Sequence, residues 1–163
     1  MTEIRENGAG PAERGSTDAL RRMTFITALL VLAQIAVGMV VNLYVTIPTN
    51  HPGANSADYF AGSFHSVLWA ISNSFPALVI HALVGLVLIL IAIAVAVRAI
   101  TLRTGRVAVF LTVGALLVIG AAFNGASFLD FAGKNLNSLL MALLALGALC
   151  CYVAGVFLLP SPE

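Results

Sequence analysis

Four long apolar segments, separated by shorter polar ones, dominate the chain from residue 23 onward. They cover about residues 24–47, 76–100, 107–126 and 135–159. Each is long enough to cross a bilayer, which takes roughly 20 predominantly apolar residues. The pattern therefore predicts an all-α membrane protein, with a four-helix transmembrane bundle at residues 23–160.

The connection between the first two spans, residues 48–75, is long for a loop and is expected to hold structure of its own. Ser56 is placed to cap a short helix. Apolar residues then recur at helical spacing, with Trp69 beside them: Tyr59, Phe60, Phe64, Val67, Leu68 and Ile71. The segment is typical of an interfacial helix that lies on the membrane or folds over the mouth of the bundle. It would serve either as a packing lid or as a lid that contacts a ligand.

Residues 1–22 differ from everything that follows. They contain three glycines, one proline and eight alternating charges, with no apolar period. Such a segment buries too little surface to offset its ordering entropy, so we expect a disordered cytoplasmic tail. The apolar run that begins at Met23 is too long for a cleaved signal and predicts a retained helix.

Composition narrows the class of protein further. The chain is 60% hydrophobic and 9% charged, whereas soluble domains carry about 25% charged residues. The net charge of +1 comes without any basic stripe, which argues against nucleic acid as a partner. Cys150 and Cys151 are adjacent and alone, which matches neither a disulfide framework nor a metal site. Seven of the eight basic residues are arginine, a bias that suggests a GC-rich bacterial genome.

The positive charges flanking the spans predict the orientation. Five arginines flank one set of ends: Arg21, Arg22, Arg98, Arg103 and Arg106. Only Lys134 flanks the other set. By the positive-inside rule, both termini are expected in the cytoplasm and residues 48–75 outside, in a multi-pass protein of the bacterial plasma membrane.

The chain also carries an internal similarity. Gly38–Asn42 aligns with Gly120–Asn124, so both first helices of a pair carry G-x-x-x-N. The second helices align so that His81 corresponds to Asn137. Both copies enter the membrane from the same side, which predicts a parallel repeat of two hairpins about an axis along the membrane normal. The two glycines of the motif would let helix backbones approach closely.

A polar layer follows from the depth of these residues. At about 1.5 Å per residue, Asn42, His81, Asn124 and Asn137 all fall near the outer ends of the spans, and Gln34 lies two turns below Asn42. Such groups usually face the interior of a bundle, so we expect Asn42 and Asn124 to approach one another. The layer is either an interhelical hydrogen-bond cluster or a site for a ligand or cofactor.

Two resemblances are visible at this point. The duplication and the segment His81–Leu86 resemble the four-helix halves of haem A synthase-type proteins and small b-type membrane cytochromes. That resemblance implies haem b on His81, either five-coordinate or with His65 as a rearranged second ligand, because Asn137 occupies the paired position. The segments Asn42–Pro48, His51–Ala54 and Phe123–Phe131 are similar to small, uncharacterised four-helix membrane proteins of bacteria, which implies no activity.

Two functions remain after the motifs are considered. No nucleophile triad, metal cluster or phosphate loop can be assembled, and Ser127 with Asp130 is most simply a local turn arrangement. One hypothesis is a non-enzymatic accessory or small-ligand-binding bundle, and the alternative is a haem- or quinone-linked redox protein using His81. The candidate ligand-binding residues are His81, Asn42, Asn124, Asn137 and His65. The expected partners are the lipid bilayer and either another membrane protein or a second copy of the chain.

Overall fold

The structure is a computed structural model that describes residues 11–160, and no β-strand occurs among these residues. The five helices are α1 (Pro11–Tyr44), α2 (Tyr59–Asn73), α3 (Pro76–Thr101), α4 (Arg106–Asp130) and α5 (Asn135–Leu158). Helices α1, α3, α4 and α5 are long and apolar enough to cross a membrane. The prediction of an all-helical protein with four long apolar helices is therefore confirmed.

The four long helices form a bundle in which α1 packs against α3 and α5, and α4 packs against the same two helices. Helices α1 and α4 consequently face each other across a diagonal. The α4–α5 pair makes the most extensive contact, while α2 packs against α3 and α4. We call the end of the bundle that carries α2 the α2 end, and the opposite end, with Arg21, Arg98 and Arg106, the arginine end.

The outward surface of the bundle is apolar. Within the most apolar stretch of each long helix, only 17 to 28% of residues are buried inside the protein. Large side chains such as Leu90 and Phe157 are 68% and 81% exposed. Contiguous apolar surface of this kind marks contact with something other than water. Together with the helix lengths, it indicates a membrane protein.

Two separate clusters of buried side chains hold the bundle together. The larger joins the four long helices towards the arginine end and includes Leu20, Val95, Leu111 and Tyr152. The smaller lies at the α2 end and comprises Val41, Ile47, Ala70, Leu78, Phe128 and Leu129. The space between the two clusters is incompletely filled, and it becomes the candidate site described below.

Helix α1 corrects the prediction for the N-terminal segment. It begins at Pro11, so residues 11–22 are helical rather than part of a disordered tail, and residues 1–10 lie outside the described residues. Proline suits a first helical turn, and extending an existing helix avoids the cost of nucleation. Leu20 is fully buried, and Arg21 donates a hydrogen bond of 2.9 Å to the carbonyl of Pro160. These contacts tie the segment to the end of α5.

Helices α1 and α4 also end at different residues than the sequence suggested. Helix α1 stops at Tyr44, three residues before the predicted end at Ile47, where β-branched residues precede Pro48. Helix α4 continues to Asp130 instead of ending near residue 126. It is closed by Gly133, at φ +79°, whose N–H donates to the Phe128 carbonyl at 2.8 Å. The predicted turn containing Ser127 and Asp130 is therefore helical.

A helix does form within residues 48–75, but Ser56 does not cap it. The cap is Asp58, whose carboxylate accepts a hydrogen bond from the Ala61 N–H at 3.1 Å. The preceding loop folds back onto the helix backbone at Gly53, where φ is +95°. A Cβ at Gly53 would lie 2.6 Å from the Ser66 nitrogen, so only glycine allows this approach.

Helix α2 turns its small residues inward and its large apolar residues outward. Gly62, Ser63, Ser66 and Ala70 are buried, while Phe60, Phe64 and Leu68 are exposed. Two contacts attach the helix and its loop to the bundle. The His51 ring stacks on Trp69 at 4.3 Å and lies 3.0 Å from the Leu129 carbonyl. The Tyr59 hydroxyl is 2.7 Å from the Ser127 hydroxyl on α4.

Candidate functional site

A cavity of about 210 Å³ lies between the two core clusters, in the half of the bundle nearer the α2 end. All four long helices line it, and α2 contributes Val67. Leu88 and Val118 come from the larger cluster, and Leu78 and Phe128 from the smaller one. An apolar cavity of about 150 Å³ is already sufficient to bind benzene. The space is therefore large enough for a ring or a segment of an aliphatic chain.

One wall of the cavity is a reciprocal contact between α1 and α3. On α1, Gln34 precedes Gly38 by one turn, and on α3, His81 precedes Gly85 by one turn. A Cβ on Gly38 would lie 2.9 Å from Cε1 of His81, and a Cβ on Gly85 would lie 3.0 Å from Nε2 of Gln34. Each glycine thus makes room for the polar side chain of the opposite helix. A hydrogen bond of 2.8 Å from Gln34 Nε2 to the His81 carbonyl fixes the pair.

This contact leaves two buried polar atoms without a partner in the described part of the chain. They are Oε1 of Gln34 and Nδ1 of His81. Because the Gln34 amide nitrogen donates to a carbonyl, its oxygen is the free acceptor. Buried polar groups in native proteins are nearly always paired with protein, ligand or ordered water. Other buried polar atoms of the described residues also lack a partner, but these two belong to residues that line the cavity.

The rest of the lining is apolar and uncharged. Besides Gln34 and His81, the polar side chains that face the cavity are Asn42 and Ser138, and none of the lining residues the structure describes is charged. Met39 and Leu86 also line the cavity, yet they are 55% and 45% exposed. Asn42 is exposed as well, so the cavity borders the outer surface of the bundle at these three lining residues.

The structure brings together some of the predicted site residues and separates others. His81 and Asn42 line the cavity. Asn124, Asn137 and His65 do not. His65 is exposed on α2, with its ring against Phe64. Nδ2 of Asn137 is buried away from the cavity and has no hydrogen-bond partner among the described residues.

Among the described residues, Asn42 and Asn124 form no hydrogen bond with one another. The Asn124 amide donates to the Gly120 carbonyl of its own helix at 3.1 Å, and α1 and α4 lie across the diagonal. The glycines of the shared motif also differ in role. Gly38 accommodates the His81 ring, whereas a Cβ on Gly120 would meet only the two Leu144 methyl groups, at 3.5 and 3.9 Å. The predicted single polar layer is therefore split between the cavity and the α4–α5 hairpin.

Sequence reasoning undervalued Gln34 and missed Gly85 and Ser138. A signal for the first two was present, because Gln34-x-x-x-Gly38 and His81-x-x-x-Gly85 have the same spacing. In antiparallel helices this spacing sets each polar residue opposite the glycine of the other. Ser138 carries no comparable pattern, and only the packing of α5 brings it to the cavity.

The residues around His81 do not fit a haem. Only one histidine lines the cavity, and the predicted second ligand, His65, lies outside it. No lining residue in the described part of the chain is cationic, so haem propionates would find no arginine or lysine partner among them. The edge of the His81 ring that carries both nitrogens also packs closely against Gly38. Within residues 11–160, no group of three or more histidine, cysteine or acidic side chains is arranged to hold a metal ion.

Comparison of the chain with protein-family models, with curated proteins and with solved structures gave no match.

Proposed function

We propose that the chain is a non-enzymatic integral membrane protein that binds a lipophilic small molecule in the cavity between its four long helices. The observation that carries this proposal is an apolar, uncharged cavity of about 210 Å³ that reaches the outer surface of the bundle at Met39 and Leu86. A ligand dissolved in the bilayer would enter sideways between helices. It would not have to cross water.

The lining of the cavity also suits such a ligand. Ligand sites in proteins are typically concave and mostly apolar, with a few polar groups that orient the ligand. Gln34, Asn42, His81 and Ser138 supply those polar groups. A charged ligand would lose its hydration without gaining a charged partner, which is costly. The cavity therefore favours a neutral molecule.

A cavity-filling variant tests the proposal. Ala142 lines the cavity and belongs to neither core cluster, so Ala142→Phe should fill the space with little disturbance of the packing. The matched control is Ala33→Phe, because Ala33 is exposed on α1 and does not line the cavity. The probe is hexadecane carrying a photoreactive diazirine, added to protein in lipid nanodiscs.

We expect saturable labelling of the wild type and of Ala33→Phe, and loss of most labelling in Ala142→Phe. Labelled peptides from α1 and α3 would be identified by mass spectrometry. Equal labelling of all three proteins would show that the probe reads only the outer surface, and it would contradict the proposal. A Soret absorbance band in wild-type protein purified after haem-replete expression would also contradict it.

We further propose that the protein resides in a bacterial plasma membrane, with the arginine end of the bundle in the cytoplasm. The supporting observation is that Arg21, Arg98 and Arg106 share one end, while Lys134 is at the α2 end. Single cysteines at Ser56 and Thr101, in a background without Cys150 and Cys151, should react from outside and from inside respectively. Reaction of Ser56→Cys from the cytoplasmic side alone would reverse the orientation.

Helix α2 is proposed to lie in the membrane interface. Its exposed stripe of Phe60, Phe64 and Leu68 supports this, because one turn separates each from the next and all face away from the bundle. Trp69, the single tryptophan of the chain, lies on the same helix and reports its depth. Lipids brominated near the glycerol should quench its fluorescence more strongly than lipids brominated near the chain end. Quenching by neither lipid would place α2 in water.

The two hairpins, α1–α3 and α4–α5, are proposed to descend from one repeated unit. The aligned motifs at Gly38 and Gly120 support this, as does the arrangement of the bundle. A twofold axis along the bundle would exchange α1 with α4 and α3 with α5, which are the pairs that lie across the diagonals.

A further inference from the structure

We infer that the ligand of the cavity is a neutral lipid or long-chain molecule bearing a free hydroxyl, which donates a hydrogen bond to Oε1 of Gln34. This inference rests on the proposed function and goes further, because it names the chemical class of the ligand. It is carried by the two unpaired polar atoms on the α1–α3 wall.

The orientation of the Gln34 amide is fixed by the hydrogen bond that it donates. Its nitrogen donates to the His81 carbonyl at 2.8 Å, and that oxygen can act only as an acceptor. The amide therefore cannot be flipped without losing this bond, and Oε1 needs a donor from elsewhere. A ketone, ester, ether or quinone has no hydrogen to donate. A hydroxyl group has one, and it remains neutral in an apolar site.

His81 adds a second requirement that a hydroxyl also meets. Nδ1 of His81 is buried without a partner in the described part of the chain. A neutral imidazole nitrogen is a donor or an acceptor according to its tautomer, and a hydroxyl can pair with either. Carboxylates and amines are disfavoured because no charged side chain lines the cavity.

The size and the opening of the cavity limit the rest of the molecule. About 210 Å³ exceeds the roughly 150 Å³ that holds benzene, but it does not hold a whole lipid. Met39 and Leu86 immediately follow Gly38 and Gly85 in sequence, so the opening lies beside the polar pair. Both polar atoms are buried, so the hydroxyl would reach them as the lining side chains shift on binding. Part of the chain would lie in the cavity, and the remainder among the lipids outside.

Three matched photoreactive probes test the class of ligand. They are diazirine-bearing hexadecanol, the methyl ether of the same compound, and the corresponding hexadecanoic acid. The ether keeps the chain and the oxygen acceptor but lacks the donor. In wild-type protein, we expect the alcohol to bind roughly threefold to tenfold more tightly than the ether, as one net hydrogen bond provides. The acid should bind no better than the ether.

The variant Gln34→Leu should weaken binding of the alcohol towards that of the ether, because the acceptor of the proposed hydrogen bond is lost. The control Tyr152→Phe removes a buried hydroxyl that also lacks a partner among the described residues. Tyr152 lies outside the cavity lining, so this variant should change the binding of neither probe. The comparison of probes in the wild type stands even if a variant fails to fold.

The outcomes separate this inference from the proposed function. Equal binding of alcohol and ether, with both blocked by Ala142→Phe, would overturn the hydroxyl inference and leave an apolar binding site. Tighter binding of the acid would overturn it in the same way. Absence of saturable labelling by every probe, including hexadecane, would overturn both.

Discussion

The two hairpins of the bundle use glycine in opposite ways. In α4–α5, glycines face large apolar or aromatic side chains: a Cβ on Gly114 would lie 3.1 Å from Cζ of Tyr152, and one on Gly147 would lie 3.2 Å from a Leu117 methyl group. In α1–α3, the glycines face Gln34 and His81. The first arrangement closes the hairpin, whereas the second lines a cavity with polar groups.

This difference in what the glycines face separates the hairpin arranged for stability, α4–α5, from the hairpin arranged for binding, α1–α3. Small residues at helix interfaces let helices pack closely, and van der Waals contact then stabilises the pair in the membrane. Helices α4 and α5 fit this description, with Gly114 against the fully buried Tyr152. Helices α1 and α3 give up part of that contact to enclose polar atoms, which cost free energy when they have no partner. Both hairpins enclose unpaired polar atoms, but only those of α1–α3 belong to residues that line the cavity.

The largest effect is expected in the closed hairpin. Gly114→Val would force methyl groups into the Tyr152 ring, which is fully buried and already close to residue 114. Overpacking of this kind costs about 1–3 kcal/mol, and we expect the upper part of that range. Thermal unfolding in detergent, followed by circular dichroism, measures the change. The control Gly120→Val, in the same helix, should cost less than about 1 kcal/mol because only the two Leu144 methyl groups lie nearby.

The next prediction compares the aligned glycines of the two hairpins. Gly38→Ala should displace the His81 ring and destabilise the protein by about 1 kcal/mol. Gly120→Ala should be neutral or stabilise by up to about 1 kcal/mol, because alanine favours the helix and meets ordinary contacts. Equal effects of the two substitutions, in the same unfolding assay, would mean that the hairpins do not differ at this position.

The sequence was sufficient to predict the four long apolar helices, but not every boundary. Four apolar runs of bilayer length predict four long helices, and Pro48 and Pro76 mark real breaks. The segment from Pro11 to Arg22 was misassigned because its composition resembles disorder. Local composition takes no account of the helix that follows this segment. Nor does it show that Arg21 donates a hydrogen bond to the carbonyl of Pro160, which is distant in sequence.

The candidate site was only partly predictable, for a geometric reason. The motif G-x-x-x-N places two residues on one face of one helix, but the contacts depend on which neighbour that face meets. Asn42 lines the cavity, while Asn124, at the aligned position, bonds to its own helix. The reciprocal pairing of Gln34 with Gly85 needs the register of α1 against α3. A single sequence does not specify that register.

Unpaired polar atoms offer a third way to sharpen the comparison. The Tyr152 hydroxyl is buried in the closed hairpin without a partner among residues 11–160, and Tyr152 does not line the cavity between the two core clusters. Tyr152→Phe removes a group whose desolvation is not compensated, so we expect stability to rise by about 1 kcal/mol. Ligand binding should not change. A loss of stability in thermal unfolding would show that this hydroxyl has a partner, such as a buried water molecule.

The smallest effect on stability is expected for His81→Asn, the residue that the second hairpin carries at the aligned position, Asn137. The hydrogen bond from Gln34 goes to the backbone carbonyl of residue 81, so the substitution leaves it in place. The lost ring borders a space that is already open, which means that little new cavity is created. We expect the free energy of unfolding to change by no more than about 0.5 kcal/mol. The midpoint of thermal unfolding should therefore shift only slightly. Binding of the alcohol probe should fall at the same time, because Nδ1 of the imidazole is gone. A large loss of stability with binding intact would instead make His81 a packing residue, and the two hairpins would then differ in shape alone.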